Sequence, residues 1–342
     1  MLLIHHLFYD YAPEYYKDIM LFTYHGNPYG LFHILSYICK TTVWVFVILS
    51  GYGLFKSYKG STLNFYKKRY WKLYRNYWFI WLCFVPIGIF IFHRTFEVVY
   101  GTSNYMPYLI KNLLGVHLFW GFLGYNPTWW FISLIIFLYA IYPIIQYILS
   151  LKHKIIPIFV FILLFIATIF KIRIGHCHLY FSSWYLTFIL PFYLGAICAQ
   201  YNIFEKAKKY CKKFNINYLL LILIIILSII RAYCTFKYDA GAGSPVDTLL
   251  AYSIIQYSYN VIDVQNICAK FTEILGKHSF NIFLFHTFIF GMFFTKFVYC
   301  FKYPIIILIV FTFLCVGISL ILEEFKKILT FVTKKVISEI RG

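Results

Sequence analysis

Charged side chains are scarce in this chain of 342 residues, and acidic ones are the scarcest. Only 13% of the residues are charged, with 12 aspartates and glutamates against 31 lysines and arginines. A soluble domain usually carries about 25% charged residues, so this chain has too few to cover a water-facing globule. Hydrophobic residues make up 62%, and the mean hydropathy is +0.74. These values exclude a soluble enzyme, a disordered tail and a coiled coil, and they predict an all-α, polytopic integral membrane protein.

A cysteine framework is also lacking. The nine cysteines are odd in number, form no CxxC pair and lie in part inside apolar runs, so we interpret them as small buried hydrophobic residues. The segment 176–178 (His-Cys-His) resembles a metal site, but three consecutive residues of regular structure cannot all point at one ion. We therefore expect no metal in this protein.

Apolar runs of about 20 residues, the length that crosses a bilayer, recur from residue 33 onward. The segment 1–8 is apolar too, but as a helix it rises only about 12 Å. We interpret it as the second half of a span whose first half is absent, which predicts about ten transmembrane helices with the first incomplete. The nine complete spans are expected at about 33–55, 76–93, 129–149, 154–170, 183–200, 217–232, 246–262, 279–298 and 303–322.

Basic residues are concentrated in alternate loops between these spans. The loops 56–75, 151–154, 200–216 and 263–278, with the tail 323–342, hold 21 of the 31 lysines and arginines. The positive-inside rule assigns these segments, and both termini, to the cytoplasmic side. Because topology accounts for most of the net charge of +19, we do not expect nucleic acid as a partner.

The apolar runs and the tail predict two regions. Residues 1–322 form the membrane domain, and residues 323–342 form a basic amphipathic cytoplasmic tail. In the tail, apolar residues follow helical spacing and most lysines lie off that stripe. Such a helix is expected to lie on the lipid of the inner leaflet.

Histidines inside apolar runs are the first candidate functional residues, because ionisable groups within a membrane are costly. His5 and His6 are adjacent, so on a helix they point about 100° apart and only one can face a given cavity. His286 lies about seven residues into its predicted span. Each histidine could equally be a packed side chain bonded to a neighbouring helix.

The basic segment before the second complete span is the second candidate. Arg69 and Lys72 are spaced i, i+3, while Lys68, Lys72 and Arg75 follow i, i+4, i+7, so a helix would present them as one cationic ridge. Such a ridge suits an anion such as a phosphate. The positive-inside bias alone also explains most of this segment.

Small and hydroxyl-bearing residues end the first complete span. Gly51 and Gly53 permit a close approach of another helix, and Ser50 and Tyr52 could donate hydrogen bonds into a cavity. Packing of small residues is an equally good explanation of this segment.

The order of these motifs resembles that of the membrane acyltransferase-3 family, the integral-membrane O-acetyltransferases of bacterial surface glycans. The resemblance extends over about residues 1–322. Its motifs, in chain order, are HHLFY, VWVFVILSGYGLFKSY, NFYKKRYWKLYRNYW, TWWFISLIIFLYAIYPII, PFYLGAICA and LGKHSFNIFLFHT.

The resemblance implies the transfer of an acetyl group from acetyl-CoA to a sugar hydroxyl. The acceptor would be a cell-surface polysaccharide or its lipid-linked precursor, and the location the bacterial cytoplasmic (inner) membrane. A histidine is the usual general base for a hydroxyl at neutral pH. CoA is a cytoplasmic polyanion, so its phosphates are expected at the basic inner loop.

The resemblance also implies roles for individual residues. His6 matches the functional histidine of the first helix, and the basic residue that precedes that histidine in the family would lie before Met1, so we expect a missing upstream segment. Arg69 and Lys72 match the family's RxxR pair, and with Arg75 we assign them to the acyl donor. Ser50 and Tyr52 of the LSGY segment, with His286, are assigned to the substrate.

Two other functions remain open at this point. A transporter or flippase for a lipid-linked glycan would also have many spans, abundant aromatics and a few buried histidines. A related enzyme that uses succinyl-CoA or another acyl donor would have the same motifs.

Overall fold

The computed structural model of this protein describes residues 1–9, 31–58, 62–173, 180–238, 245–262, 267–301 and 303–341. Within these ranges 87% of the residues are helical and no β-strand occurs, which confirms the all-α prediction. The described α-helices are α1 (Leu2–Phe8), α2 (Leu31–Cys39), α3 (Thr42–Ser57), α4 (Thr62–Phe90), α5 (Phe96–Tyr100), α6 (Met106–Leu113), α7 (Trp130–Ser150), α8 (Ile155–Arg173), α9 (Tyr180–Gln200), α10 (Ile203–Phe214), α11 (Asn217–Tyr238), α12 (Pro245–Val261), α13 (Ile267–Thr287), α14 (Thr295–Tyr299) and α15 (Pro304–Arg341).

Long apolar helices make this a polytopic membrane protein. Among the described residues, five helical segments are long and apolar enough to cross a membrane, and a bent pair adds a sixth if it is one span. The total of ten therefore stays a prediction. The five segments are Leu31–Ser57, Thr62–Phe90, Pro127–Ser150, Asn217–Thr235 and Pro304–Thr333, and the bent pair is Thr187–Gln200 with Ile203–Phe214.

Two of the predicted spans are interrupted helices. The run 33–55 is divided between α2 and α3, with Lys40 at the break. The run 279–298 contains the end of α13 and then a π-helical turn, Phe288–Phe293. Because π-helical turns widen the backbone and are frequent at functional sites, the second interruption draws attention to the residues before it.

The predicted loop 56–75 is largely helical. α4 begins at Thr62 and runs without a break to Phe90, so the basic segment and the following span form one helix. Lysine, arginine and leucine have high helix propensity, and this segment contains no glycine or proline before Pro86 to end the helix. The candidate cations Arg69 and Lys72 are consequently held on a rigid element.

Close packing of α3 on α9 fixes the position of Ser50. A Cβ atom added at Gly51 would lie 2.0 Å from the carbonyl oxygen of Phe192, and one added at Gly195 would lie 1.9 Å from that of Ile48. Reciprocal glycines of this kind let two helix backbones approach closely. Gly53, in contrast, faces open space.

The last helix, α15, is continuous from Pro304 to Arg341 and includes the predicted boundary at residue 322/323. The tail is therefore helical and extends from the preceding apolar helix. Its location on a lipid leaflet stays a prediction.

Candidate active site

A cavity of about 360 Å³ lies among α3, α4, α7 and α13, and we call it the basic cavity. Each helix contributes polar groups toward one end, and three of them contribute a phenylalanine toward the other. The cavity lies within the size range of small-molecule pockets, at the lower end. Its polar end contains Ser50, Arg69, Lys72, Tyr139, Lys277 and Ser279.

The polar end carries three cations and no carboxylate in its lining. Arg69 is half-buried and donates a hydrogen bond to the hydroxyl of Ser57, whereas Lys72 is exposed. Lys277 adds a third positive charge, which an exposed ion pair with Glu273 at 2.7 Å only partly neutralises. Such a surface is suited to an anionic ligand.

Two residues that the sequence assigned to this region do not line the cavity. Arg75 is exposed on another side of α4. The ring of Tyr52 packs against Phe204 at 5.4 Å and beneath the ammonium of Lys56 at 5.7 Å. The sequence-predicted ridge is therefore divided, and only Arg69 and Lys72 of its members reach the cavity.

A part-buried polar network lies behind the wall of the cavity at Asn76. The ammonium of Lys326 donates hydrogen bonds to the side-chain oxygens of Asn76 at 3.2 Å, Asn281 at 3.0 Å and Glu323 at 2.8 Å. Asn281 donates in turn to Glu323 and to Ser319. This network, which the sequence did not reveal, connects α15 to α4 and α13.

Three histidine rings lie together at a second place, which we call the histidine cluster. The ring of His6 is 4.7 Å from that of His5 and 4.8 Å from that of His286, measured between centroids. His5 and His286 are buried and His6 is half-buried. The two histidines that the sequence selected independently, His6 and His286, are thus neighbours.

Hydrogen bonds fix the outer two rings of the cluster in one tautomer. Nδ1 of His5 lies 3.0 Å from the carbonyl oxygen of Ser36, and Nδ1 of His286 lies 2.9 Å and 3.0 Å from those of Ile282 and Phe283. A carbonyl oxygen can only accept, so both Nδ1 atoms carry the proton and both Nε2 atoms keep a lone pair when the rings are neutral.

Short contacts hold α1, and with it His6, against its neighbours. Nδ1 of His33 donates to the carbonyl of Phe8 at 3.0 Å, and Nε2 of the same ring accepts from the hydroxyl of Tyr37 at 2.9 Å. On the other side, the hydroxyl of Tyr299 donates to the carbonyl of Leu7 at 2.8 Å. These bonds give a seven-residue helix a defined position.

Phe283 connects the basic cavity to the histidine cluster. It lines the cavity, is 3% exposed, and its ring centroid lies 6.2 Å from that of His286. Thr287 follows His286 and is the last residue before the π-helical turn. Its hydroxyl donates a hydrogen bond to the hydroxyl of Thr128 at 3.3 Å. The end of α13 therefore presents one face to the cavity and another to the cluster.

Three ionisable groups inside the apolar runs escaped the sequence reasoning. Lys40 lies at the break between α2 and α3, with its ammonium 5.1 Å from the ring centroid of Tyr9. Arg231 and Asp247 form an ion pair at 2.6 Å and are 2% and 0% exposed. All three lie within predicted spans, so a search for every charge inside those spans would have found them.

Metal ligands do not cluster in the part of the chain that the structure describes: no group of three or more histidine, cysteine, aspartate or glutamate side chains is suited to an ion there. The His-Cys-His segment at 176–178 lies outside the described residues.

One further histidine is buried away from the cluster, at the start of the short 3-10 turn His117–Trp120 in the segment that joins α4 to α7. His117 is 0% exposed, and neither of its ring nitrogens has a hydrogen-bond partner among the described residues. Burial lowers the pKa of His117 to about 4. This ring is neutral at physiological pH.

Comparison with known proteins decides the family. The family model described as an acyltransferase domain, Acyl_transf_3, matches residues 1–324. The chain belongs to the acyltransferase-3 family. Both the basic cavity and the histidine cluster lie within the matched residues. No curated protein and no solved structure matches the chain.

Membership confirms the resemblance noted from the sequence motifs and makes this protein a membrane acyltransferase. A member of this acyltransferase-3 family requires an acyl donor and an acceptor. The basic cavity and the histidine cluster are the two polar regions of the described structure that combine sequence-selected residues from several helices.

Proposed function

We propose that this protein transfers an acetyl group from acetyl-CoA to a sugar hydroxyl of a cell-surface polysaccharide or of its lipid-linked precursor. The observation that supports this proposal is that a cationic cavity and a pair of histidines lie close together in a member of an acyltransferase family. A cationic cavity approaches, through the single ring of Phe283, a pair of histidines contributed by helices far apart in the sequence.

Charge favours the basic cavity as the place where the acyl donor binds. CoA carries its phosphate charges at the nucleotide end, and a narrow uncharged arm leads from there to the thioester. Arg69, Lys72 and Lys277 supply positive charge at the polar end of the cavity. Guanidinium and ammonium groups form strong charge-assisted bonds with phosphate oxygens. In this proposal the phosphates stay at the cationic end, Ser50 contacts the arm, and the acyl group points toward Phe283.

His6 is the proposed general base. The sugar hydroxyl gives its proton to His6 while its oxygen attacks the thioester carbonyl carbon, and collapse of the intermediate breaks the carbon–sulfur bond. The proton on the imidazolium then passes to the leaving CoA thiolate, so the base is regenerated. A histidine suits both steps because its pKa lies near physiological pH.

His286 is proposed to bind and orient the substrate beside His6. Its Nδ1–H is committed to the backbone of its own helix, so its Nε2, which lies 3.4 Å from the hydroxyl oxygen of Thr287, is the ring atom proposed to accept a hydrogen bond from the acceptor hydroxyl. The sequence assignments of Tyr52 and Arg75 remain predictions, and the side chains of both residues lie outside the cavity lining.

The proposed location is the bacterial cytoplasmic membrane, with several spans and both termini on the cytoplasmic side. Acetyl-CoA is made in the cytoplasm, and the basic end of the cavity belongs to the segments that the positive-inside rule assigns to that side. The glycan acceptor would reach the histidine cluster from the opposite side or from the surrounding lipid.

A transporter or flippase for a lipid-linked glycan is the alternative function. Interrupted helices are common in transporters, and two occur here, at the α2–α3 break and at the π-helical turn. Interruptions therefore do not separate the two functions, whereas membership of an acyltransferase family favours the enzyme.

The test is mass analysis of surface glycans from cells with and without the protein. We expect the repeat unit to gain the mass of one acetyl group only when the protein is present. An unchanged glycan mass, together with lipid-linked glycan accumulating when the protein is removed, would support the flippase. A gain equal to a succinyl group would identify a different donor.

A further inference from the structure

Three aromatic rings, those of Phe46, Phe131 and Phe283, line the end of the basic cavity nearest the histidine cluster, and we call them the phenylalanine floor. The ring centroids of Phe131 and Phe283 are 5.0 Å apart in a T-shaped arrangement, and those of Phe46 and Phe131 are 6.4 Å apart. Both arrangements lie within the favourable range for aromatic pairs, so the rings support one another.

The floor is formed by three helices at matching depth. Phe46 lies one turn beyond Ser50 on α3, Phe131 two turns beyond Tyr139 on α7, and Phe283 one turn beyond Ser279 on α13. On each helix the polar residue is at the cationic end and the phenylalanine at the other. The cavity is therefore cationic at one end and mainly aromatic at the other.

The floor also stands between the cavity and the histidines. Phe283 lines the cavity and its ring centroid lies 6.2 Å from that of His286, whose own centroid lies 4.8 Å from that of His6. An acyl group that enters from the cationic end therefore meets these rings first, and in the proposed function the acceptor hydroxyl reaches it from the histidine side. The space available to the acyl chain is thus set by the phenylalanines rather than by the cations.

We infer that the phenylalanine floor restricts the donor to thioesters with a short acyl chain, and that Phe131 is a specificity-determining residue. This inference rests on the proposed acyl transfer from CoA. Each methylene beyond the permitted length meets a packed ring, and one methylene too many in an apolar pocket typically costs tenfold or more in kcat/KM. Replacing Phe131 by alanine removes one ring and admits the longer chain.

The experiment measures kcat/KM of the purified full-length protein for acetyl-, propionyl-, butyryl- and hexanoyl-CoA, with the glycan acceptor from the expressing strain. We expect the wild-type value to fall at least tenfold between acetyl and butyryl. In Phe131→Ala we expect the ratio of butyryl to acetyl to rise at least tenfold. Phe137→Ala on the same helix, whose ring does not line the cavity, is the matched control and should keep the wild-type ratio.

The possible outcomes separate this inference from the proposed function. A wild-type protein that transfers butyryl and hexanoyl groups as well as acetyl overturns the inference and leaves acyl transfer intact, and so does an unchanged ratio in Phe131→Ala. If no acyl-CoA supports transfer by the wild type, the proposed function itself fails. If Phe131→Ala does not fold, Phe131→Leu and Phe46→Leu test the same ratio with smaller changes in packing.

Discussion

The basic cavity and the histidine cluster are built in opposite ways. The cavity is partly open, and its cations Lys72 and Lys277 are exposed and weakly restrained. In the cluster the rings of His5 and His286 are buried, and each is fixed by bonds to backbone carbonyls. Flexible charges attract an anion in water, whereas a reaction requires groups held in one geometry away from water. This difference agrees with the proposed division between donor binding at the cavity and chemistry at the cluster.

The largest effect that this comparison predicts is at His6. We expect His6→Ala to lower glycan acetylation at least 100-fold, because a positioned general base contributes about 10²–10⁴ to the rate. The measurement is acetyl incorporation into glycan at equal membrane levels of protein. His153→Ala, which removes an exposed histidine from a loop, is the control and should retain full activity. If His6→Ala acetylated glycan at the wild-type level, the histidine cluster would take no part in the reaction.

A smaller and qualitatively different effect is expected at the cavity. Arg69→Ala combined with Lys72→Ala should raise KM for acetyl-CoA at least tenfold while kcat changes little, because the lost bonds hold the phosphates in ground state and transition state alike. Higher salt should weaken donor binding in the wild type more than in the variant.

The matched control for the cavity is the double variant Lys152→Ala and Lys154→Ala, which removes two exposed charges from a loop on another part of the chain. It should leave KM unchanged. A loss of kcat at constant KM in the cavity variant would mean that these cations act in the chemical step rather than in capture.

Substitutions in the polar network behind the cavity wall should lower the stability of the protein rather than its affinity for the donor. Lys326→Met leaves the side-chain oxygen of the buried residue Asn281 without the ammonium that donates to it, and an unsatisfied buried polar group costs about 1–3 kcal/mol. We expect a melting temperature several degrees lower in detergent. Lys327→Met removes the adjacent exposed lysine, whose pair with Glu324 lies on the surface, and should melt as the wild type does. Equal melting of both variants would contradict a supporting role for the network.

The smallest expected effect lies outside both regions, at His117. Its pKa is lowered to about 4 by burial, whereas an unfolded histidine titrates near 6.5. Between these pH values the unfolded chain binds the proton more strongly, so the free energy of unfolding falls as the pH falls from about 6.5 to about 4. The melting temperature should fall more between pH 7 and pH 5 for the wild type than for His117→Leu. An equal loss would mean that His117 does not titrate on unfolding.

Much of the fold was predictable because membrane helices have a strong apolar signal. The all-helical class and several spans followed from run lengths. His5, His6 and His286 were singled out because histidine is costly in an apolar run, and the family resemblance then selected His6 from the adjacent pair. The meeting of these two residues was not predictable from their own segments, since it depends on how α1 packs on α13, nearly 280 residues apart.

Other features were missed for identifiable reasons. Asn76 and Asn281 are neutral amides in segments that already contain many polar groups, so nothing in their sequence context marks them. Lys326 was assigned to a lipid-facing tail because its spacing is amphipathic, while the structure turns it inward to Asn76. The chain contains 39 phenylalanines, and nothing in the sequence marks the three that form the phenylalanine floor. Only the packing of their three helices brings them to one end of the cavity.

The most direct measurement compares sealed membrane vesicles of the two orientations from a strain that makes both the protein and its glycan. Acetyl-CoA does not cross membranes, so donor added outside reaches only the exposed face. We predict glycan acetylation in inside-out vesicles, where the basic ends of the helices face the added donor, and none in right-side-out vesicles until they are permeabilised. Equal acetylation by intact right-side-out vesicles would contradict entry of the donor through the basic cavity.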